Sequence, residues 1–114
     1  MGTKPQQTRG LFITLEGGEG SGKSTHIRHL SEVLTQAGHR VLQTREPGGT
    51  ATAEAIRHIL LTASLKEEQV TPQAEALLIL AARSQHVAHL IRPALRRGTV
   101  VLCDRFSDST LAYQ

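Results

Sequence analysis

The 114-residue sequence predicts an α/β domain, a parallel sheet with helices on both of its faces. Three observations carry this. Short apolar runs rich in β-branched residues stand at 11–15 and 99–103, as buried strands require, and 40–44 reads as a strand with Val41 and Leu42 inside. Between them, apolar residues recur at helical spacing. A strand that re-enters its sheet through a helix makes a crossover, and crossover neighbours run parallel.

Leu11, Phe12, Ile13, Thr14 and Leu15 lie between glycines and read as a first strand buried on both faces. After glycines at 17, 18, 20 and 22, a helix is marked by Ile27, Leu30, Val33, Leu34 and Ala37, with Gly38 as its C-terminal cap. The second strand, 40–44, runs into the turn residues Glu46-Pro47-Gly48-Gly49. Ala53, Ile56, Ile59 and Leu60 mark a shorter helix, and a polar stretch at 66–69 follows. A long helical pattern then carries Ala74, Leu77, Leu78, Ala81, Ala88 and Ile91. Pro93 should kink or restart it, because proline removes a helical N–H and clashes with the preceding turn. Gly98 ends it, and the third strand, 99–103, closes on Asp104. Residues 1–10 are polar, without the apolar core of a secretion signal, and read as a disordered tail ahead of a single domain over 11–114.

Composition narrows the function. Hydrophobic residues are 39% and charged residues 20%, which excludes a disordered or collagen-like chain. No apolar run reaches the ~18 residues of a membrane helix, and a lone cysteine, Cys103, cannot form an internal disulfide. A cytoplasmic protein is expected. The net charge of +3 and 3% aromatic residues give nucleic acid neither a strong basic patch nor bases to stack on. Ten of the thirteen cations are arginines, which suit phosphate and carboxylate recognition.

In open α/β sheets a ligand sits beyond the carboxyl ends of the strands. Residues 17–24, 45–49 and 104–114 meet there. Gly17-Gly18-Glu19-Gly20-Ser21-Gly22-Lys23-Ser24 fits the phosphate-binding P-loop pattern. Its glycines let backbone N–H groups turn onto phosphate oxygens, and the following helix adds its positive end. Lys23 brings charge to the β- and γ-phosphates, and the Ser24 hydroxyl is a Mg²⁺ ligand. Asp104, at the end of an apolar strand, is the expected second Mg²⁺ holder, through water. Arg105 beside it is a candidate for a second substrate's phosphate. Glu19, a carboxylate among phosphates, must face another group, such as a sugar hydroxyl or the metal. The pairs His26/His29 and His86/His89 read as surface helix histidines, since no cysteine or carboxylate stands at ligand spacing. Cys103 reads as an inert core thiol, and Arg96-Arg97 as cations at a helix C-terminus.

Together, residues 12–25, Thr44-Arg45-Glu46-Pro47-Gly48-Gly49-Thr50, Asp104-Arg105-Phe106 and Ser109-Thr110-Leu111-Ala112-Tyr113-Gln114 resemble the bacterial thymidylate kinases, over nearly all of 11–114. The resemblance implies transfer of the ATP γ-phosphoryl group to dTMP with Mg²⁺, on a sheet of order 2-3-1. It assigns Gly17 to Thr25 to ATP, Glu19 to the deoxyribose 3′-hydroxyl, and Arg105 to the dTMP phosphate. Arg83 would read the thymine edge with Thr110 and Gln114, and Tyr113 would pack where a ribose 2′-hydroxyl would protrude. Glu46, Pro47 and Arg57 would lie near the nucleotide, Lys23, Arg105, Glu19 and Asp104 would be catalytic, and the enzyme would be a homodimer. Two departures stand out. Ile79 occupies the position where the family usually stacks a phenylalanine on the base, and the sequence ends at Gln114, about half the family's length. The last two strands, the adenine segment and the arginine-bearing lid are therefore expected to be missing, and the 114-residue chain alone to be inactive. Two other readings stay open: another nucleoside monophosphate or deoxynucleoside kinase, and a non-catalytic nucleotide-binding module. Arg83, Arg105 and Tyr113 favour a phosphorylated deoxypyrimidine, and the sequence has no guanine-reading Asn-Lys-x-Asp.

Overall fold

A computed structural model describes residues 10–17, 22–63 and 68–106. They form a three-stranded parallel sheet of β1 (Phe12–Gly17), β2 (Val41–Glu46) and β3 (Val100–Phe106), in the order β1-β3-β2. The central strand was the last to be reached along the chain, as the expected 2-3-1 order requires. Each strand runs two or more residues past its expected end, into Glu16-Gly17, Arg45-Glu46 and Asp104-Arg105-Phe106, because the parallel ladder continues to pair them.

Helices cover both faces. On one side α1 (Lys23–Gln36) sets Ile27, Leu30 and Leu34 against Ile13, Leu15, Val41, Val100 and Leu102. It ends in a Schellman cap: His39 N–H donates to the Leu34 carbonyl, Gly38 N–H to that of Thr35, and Gly38 takes φ +96°. The other side is built from α2 (Ala51–Thr62), α3 (Pro72–His86), a π-helical turn (Val87–Ile91) and α4 (Arg92–Arg96). Pro93 does not interrupt the helix: the backbone stays helical from α3 through the π-helical turn, where Arg92 N–H donates to the Val87 carbonyl, into α4, and the expected disturbance is confined to that widened turn just before the proline. Val87, Ile91, Ala94 and Leu95 pack on Leu42 and Val101 of the sheet, while Leu78 and Ala82 of α3 pack on Ala53, Ile56 and Leu60 of α2. Thr50 and Thr71 cap α2 and α3, their hydroxyls accepting from the N–H groups of Ala53 and Ala74.

Burial departs from expectation at two places. Residues 100–103 of β3 are buried on both faces, but β1, at the edge that the 2-3-1 order gives it, is not: Leu11 is 58% and Phe12 37% exposed, with no strand beyond it among the described residues. Val33, Ile59 and Leu77 follow the helical apolar pattern yet face outward, because the covering elements reach only part of each apolar stripe. Residues 1–9 of the expected tail lie outside the described residues, while Gly10 donates its N–H to the Leu95 carbonyl.

Candidate active site

The strand register sets the site. Leu15, Asp104 and Arg45 lie side by side in one row, and Glu16, Arg105 and Glu46 in the next. Successive residues of a strand point to opposite faces, so Asp104 goes to the α1 side and Arg105 to the α3 side.

On the α1 side, Gly22 precedes the helix with φ 80°, a conformation that glycine adopts without steric cost. The first two helical residues, Lys23 and Ser24, thereby stand at the positive end of α1. Lys23 Nζ is 2.6 Å from Asp104 Oδ1. Ser24 and Asp104 share an open cleft of about 600 Å³ with Thr44, Arg45, Gly49 and Glu54. A hydroxyl and a carboxylate are the hard oxygen donors that Mg²⁺ prefers, and the cleft has room for the several waters that this ion keeps. The residues present fit that ion.

The α3 side is denser. Glu46 is 5% exposed and its two oxygens have different partners. Oε1 accepts from Arg83 Nε at 3.1 Å and lies 3.4 Å from Arg105 Nε; Oε2 accepts from His86 Nδ1 at 3.0 Å. His86 Nε2 in turn is 2.7 Å from the Thr44 hydroxyl. Burial pushes the Glu46 carboxyl up, but the His86 hydrogen bond with the Arg83 and Arg105 charges outweighs it and holds the group below the usual carboxylate range. Arg105 also reaches Glu16, 3.4 Å away on β1, and its buried Nε has no hydrogen bond among the described residues. Cys103 joins Glu46 and His86 within 4.8 Å. Burial, then the Glu46 charge, pushes its thiol up to about 12, so it stays protonated. With two guanidiniums on the carboxylate, this trio is set up for hydrogen bonding rather than for gripping a cation.

The turn after β2 joins the two sides. Glu54 of α2 accepts from Arg45 Nη2 at 2.6 Å and Nε at 3.2 Å, and from the Gly49 N–H at 2.9 Å. The Arg45 fork, helped by the Gly49 N–H, draws the Glu54 carboxyl down to about 2. Arg57 Nη1 donates to the Pro47 carbonyl at 3.0 Å. A Cβ on Gly49, at φ +96°, would run into the His86 ring, so the turn can close over the imidazole only as glycine.

Three comparisons bear on this arrangement. The family model described as thymidylate kinase matches residues 15–114. The chain belongs to the thymidylate kinase family. It is 61% identical over 105 residues to the thymidylate kinase of Pseudomonas fluorescens strain SBW25, covering 92% of this chain and 49% of that one. It is 56% identical over 108 residues to that of Protochlamydia amoebophila, covering 93% and 47%. The crystal structure of thymidylate kinase from Ehrlichia chaffeensis superposes with a TM-score of 0.75 at 40% identity, over 92% of this chain and 58% of that one. The chain thus spans about half the length of the curated relatives it matches.

Against the family's expected site, the structure brings Lys23, Ser24 and Asp104 together on one side and Glu46, Arg83 and Arg105 on the other. Thr25 is exposed on α1, Gly17 ends β1, and Pro47 and Arg57 are bonded to each other. Ile79 is half-buried on α3, one turn before Arg83. Gly18, Glu19, Gly20, Ser21, Thr110, Tyr113 and Gln114 lie outside the described residues. Two expectations are corrected. Glu46 is not a turn residue but the buried end of β2. His86 is not a surface histidine: it is fully buried, because Glu46 and Thr44 satisfy both of its nitrogens. His26, His29 and His89 are exposed. Thr44, Glu54 and His86 were absent from the expected site. For His86 the sequence did hold a signal, since Ile79, Arg83 and His86 are spaced i, i+4, i+7 on one helix face.

Proposed function

We propose that the whole protein transfers the γ-phosphoryl group of ATP to dTMP, giving dTDP, as a soluble cytoplasmic enzyme. The observation that carries this reading is the convergence of Arg83 and Arg105 on one buried carboxylate beside the Lys23–Asp104 pair. Two cationic groups for an acceptor then lie on one side of the strand ends, and a phosphate-binding helix start on the other. Phosphoryl transfer asks the protein for in-line positioning and for positive charge on the moving oxygens.

In this reading residues 17–25 wrap the ATP phosphates, with Lys23 at the β- and γ-phosphates. Ser24 and Asp104 hold Mg²⁺, which when bound offsets the charge that builds on the phosphate oxygens. Arg105 takes the dTMP phosphate, and its long contacts to Glu16 and Glu46, both 3.4 Å, are readily exchanged for a phosphate oxygen. Arg83 reads the thymine edge with Thr110 and Gln114, Ile79 covers one base face, and Glu19 meets the 3′-hydroxyl. Glu46, Pro47 and Arg57 wall the pocket, and Tyr113 disfavours a ribose. Leu77 and Leu80 on α3 with Ile59 and Leu61 on α2, all exposed, supply apolar area for a second copy of the chain. Among the described residues no helix is long and apolar enough to cross a membrane.

The test is phosphoryl transfer from ATP by the whole protein to dTMP, dUMP, dCMP and thymidine. The reading requires dTMP to be preferred and thymidine, which lacks the phosphate that Arg105 would take, to be inert.

A further inference from the structure

His86 has no part in the function proposed above, yet it is fully buried and its ring is held at both nitrogens. An ionised carboxylate only accepts, so Nδ1 carries a proton and donates it to Glu46 Oε2. The Thr44 hydroxyl, 2.7 Å from Nε2, fixes the ring from its other side. This leaves the carboxylate divided: Oε2 belongs to the imidazole, and Oε1 alone serves Arg83 and Arg105. Guanidinium forks favour pairing with both oxygens of one carboxylate. With Oε2 released, one arginine would take both oxygens and turn away from its position, and the other would lose its anchor. The backbone is shaped around the same ring, since a Cβ on Gly49 would meet both the imidazole and the Thr44 hydroxyl.

We propose that His86 is a positioning residue of the acceptor site: by occupying Glu46 Oε2 it keeps the carboxylate shared between Arg83 and Arg105, so that both guanidiniums stay directed at a pyrimidine nucleoside monophosphate. Thr44 and Gly49 act with it by holding the ring. The inference rests on the dTMP kinase reading, and it adds a determinant of acceptor binding on α3 that touches no substrate itself.

The experiment compares His86→Leu, His86→Asn and Thr44→Val in the whole protein. It measures KM for dTMP, KM for ATP, kcat and melting temperature. His86→Leu removes the donor to Glu46 and should raise the dTMP KM about tenfold or more, since small misplacements of binding groups cost up to about a hundredfold. Its ATP KM should stay within about twofold, because Lys23 and Asp104 lie on the opposite face. His86→Asn keeps an N–H near the place of Nδ1 and should recover most of the loss; Thr44→Val should raise the dTMP KM a few-fold. A purely structural histidine would lower the melting temperature with both KM values unmoved, or with both raised together, and asparagine would rescue nothing. Either result overturns the proposal. If His86→Leu does not fold, an unmoved dTMP KM in Thr44→Val overturns it equally. A wild-type protein that ignores dTMP sinks the substrate reading and this inference with it; one that uses dTMP while His86→Leu and Thr44→Val leave its KM unmoved sinks the inference alone.

Discussion

On the α1 face the strand ends carry a short pair, Lys23 and Asp104, at an open cleft; on the α3 face they carry a five-residue network in which Thr44, Arg83 and Arg105 surround the buried Glu46 and His86. The two differ in how much is settled before a ligand arrives. In the proposed reading the open side receives a triphosphate that brings its own dense charge and a cation, so a helix start, one ammonium and two oxygen donors suffice. The buried side must select one small acceptor, and its arginines are held in advance by a carboxylate that is itself held. Ordering side chains before binding lowers the cost that binding must meet.

The largest expected effect lies on the open side. Lys23→Ala in the whole protein should lower kcat/KM by on the order of a hundredfold or more, as loss of a preorganised charge-stabilising group does. Its circular dichroism should be unchanged; near-native turnover would show that the α1 face does not bind the phosphates. Next comes Glu46→Gln, which takes the charge out of the buried network. Hydrogen bonds to charged groups are worth about 1.5–3 kcal/mol, so we expect a loss of about 2 kcal/mol in urea unfolding together with a raised dTMP KM. The Glu46 carboxyl is held below its ordinary value, so its contribution is complete above the unfolded value and fades as pH falls through the folded one. Wild type should therefore converge on Glu46→Gln in acid; equal stabilities at pH 7 would break the contrast between the faces.

Glu54→Gln probes an exposed counterpart. Glu54 and Arg45 are 39% and 51% exposed, so water screens the pair and about 1 kcal/mol is expected despite the large shift. With a folded value of about 2 against an ordinary 4.5, that stability is present above pH 5 and disappears toward pH 2. Melting curves of wild type and variant should differ at pH 7 and merge near pH 2. The smallest effect is Ile79→Phe. Aromatic stacking on a base is worth about 1–3 kcal/mol, and isoleucine already keeps the apolar part. The dTMP KM should fall roughly fivefold with kcat unchanged, since the base face is touched alike before and during transfer. An unchanged KM would place Ile79 outside the pocket wall.

The open face was the more legible of the two from sequence. Lys23, Ser24 and Asp104 follow a glycine-rich spacing and the end of an apolar strand, both of which are local patterns. The buried face depends on pairs that are distant in the chain: His86 shares a helix face with Ile79 and Arg83, but it meets Thr44 and Glu46 across 42 and 40 residues, so its partners have no local sign. The strand ends were missed for a related reason. Arg45-Glu46 and Asp104-Arg105 look like loop residues by composition, but their charges find partners along a row of the sheet (Arg105 with Glu16 and Glu46) and on the helices (Asp104 with Lys23, Arg45 with Glu54). The order of the strands, the disturbed helical turn before Pro93 and the glycine caps could be read because they follow from crossover geometry and backbone chemistry alone. The edge position of β1 follows from that strand order as well, although its local apolar pattern looks the same whether one neighbour pairs with it or two.

The middle of β3 is Val100-Val101-Leu102-Cys103, apolar toward both faces and buried throughout. Hydrophobic patterning normally forbids a strand to slip, because one step exchanges its two faces. Here it would not: a slip of one residue still lays an aliphatic side chain or a thiol against α1 and another against α4. Asp104 and Arg105 alone tell the two sides apart. One step would carry the guanidinium to Lys23 and the carboxylate to Glu46, setting like charge against like on both sides at once. An insertion or deletion of a single residue between Gly98 and Asp104 should therefore be far more damaging than any conservative exchange within that stretch, because the frame of this strand is kept by the two ionic residues at its end and not by the oil in its middle.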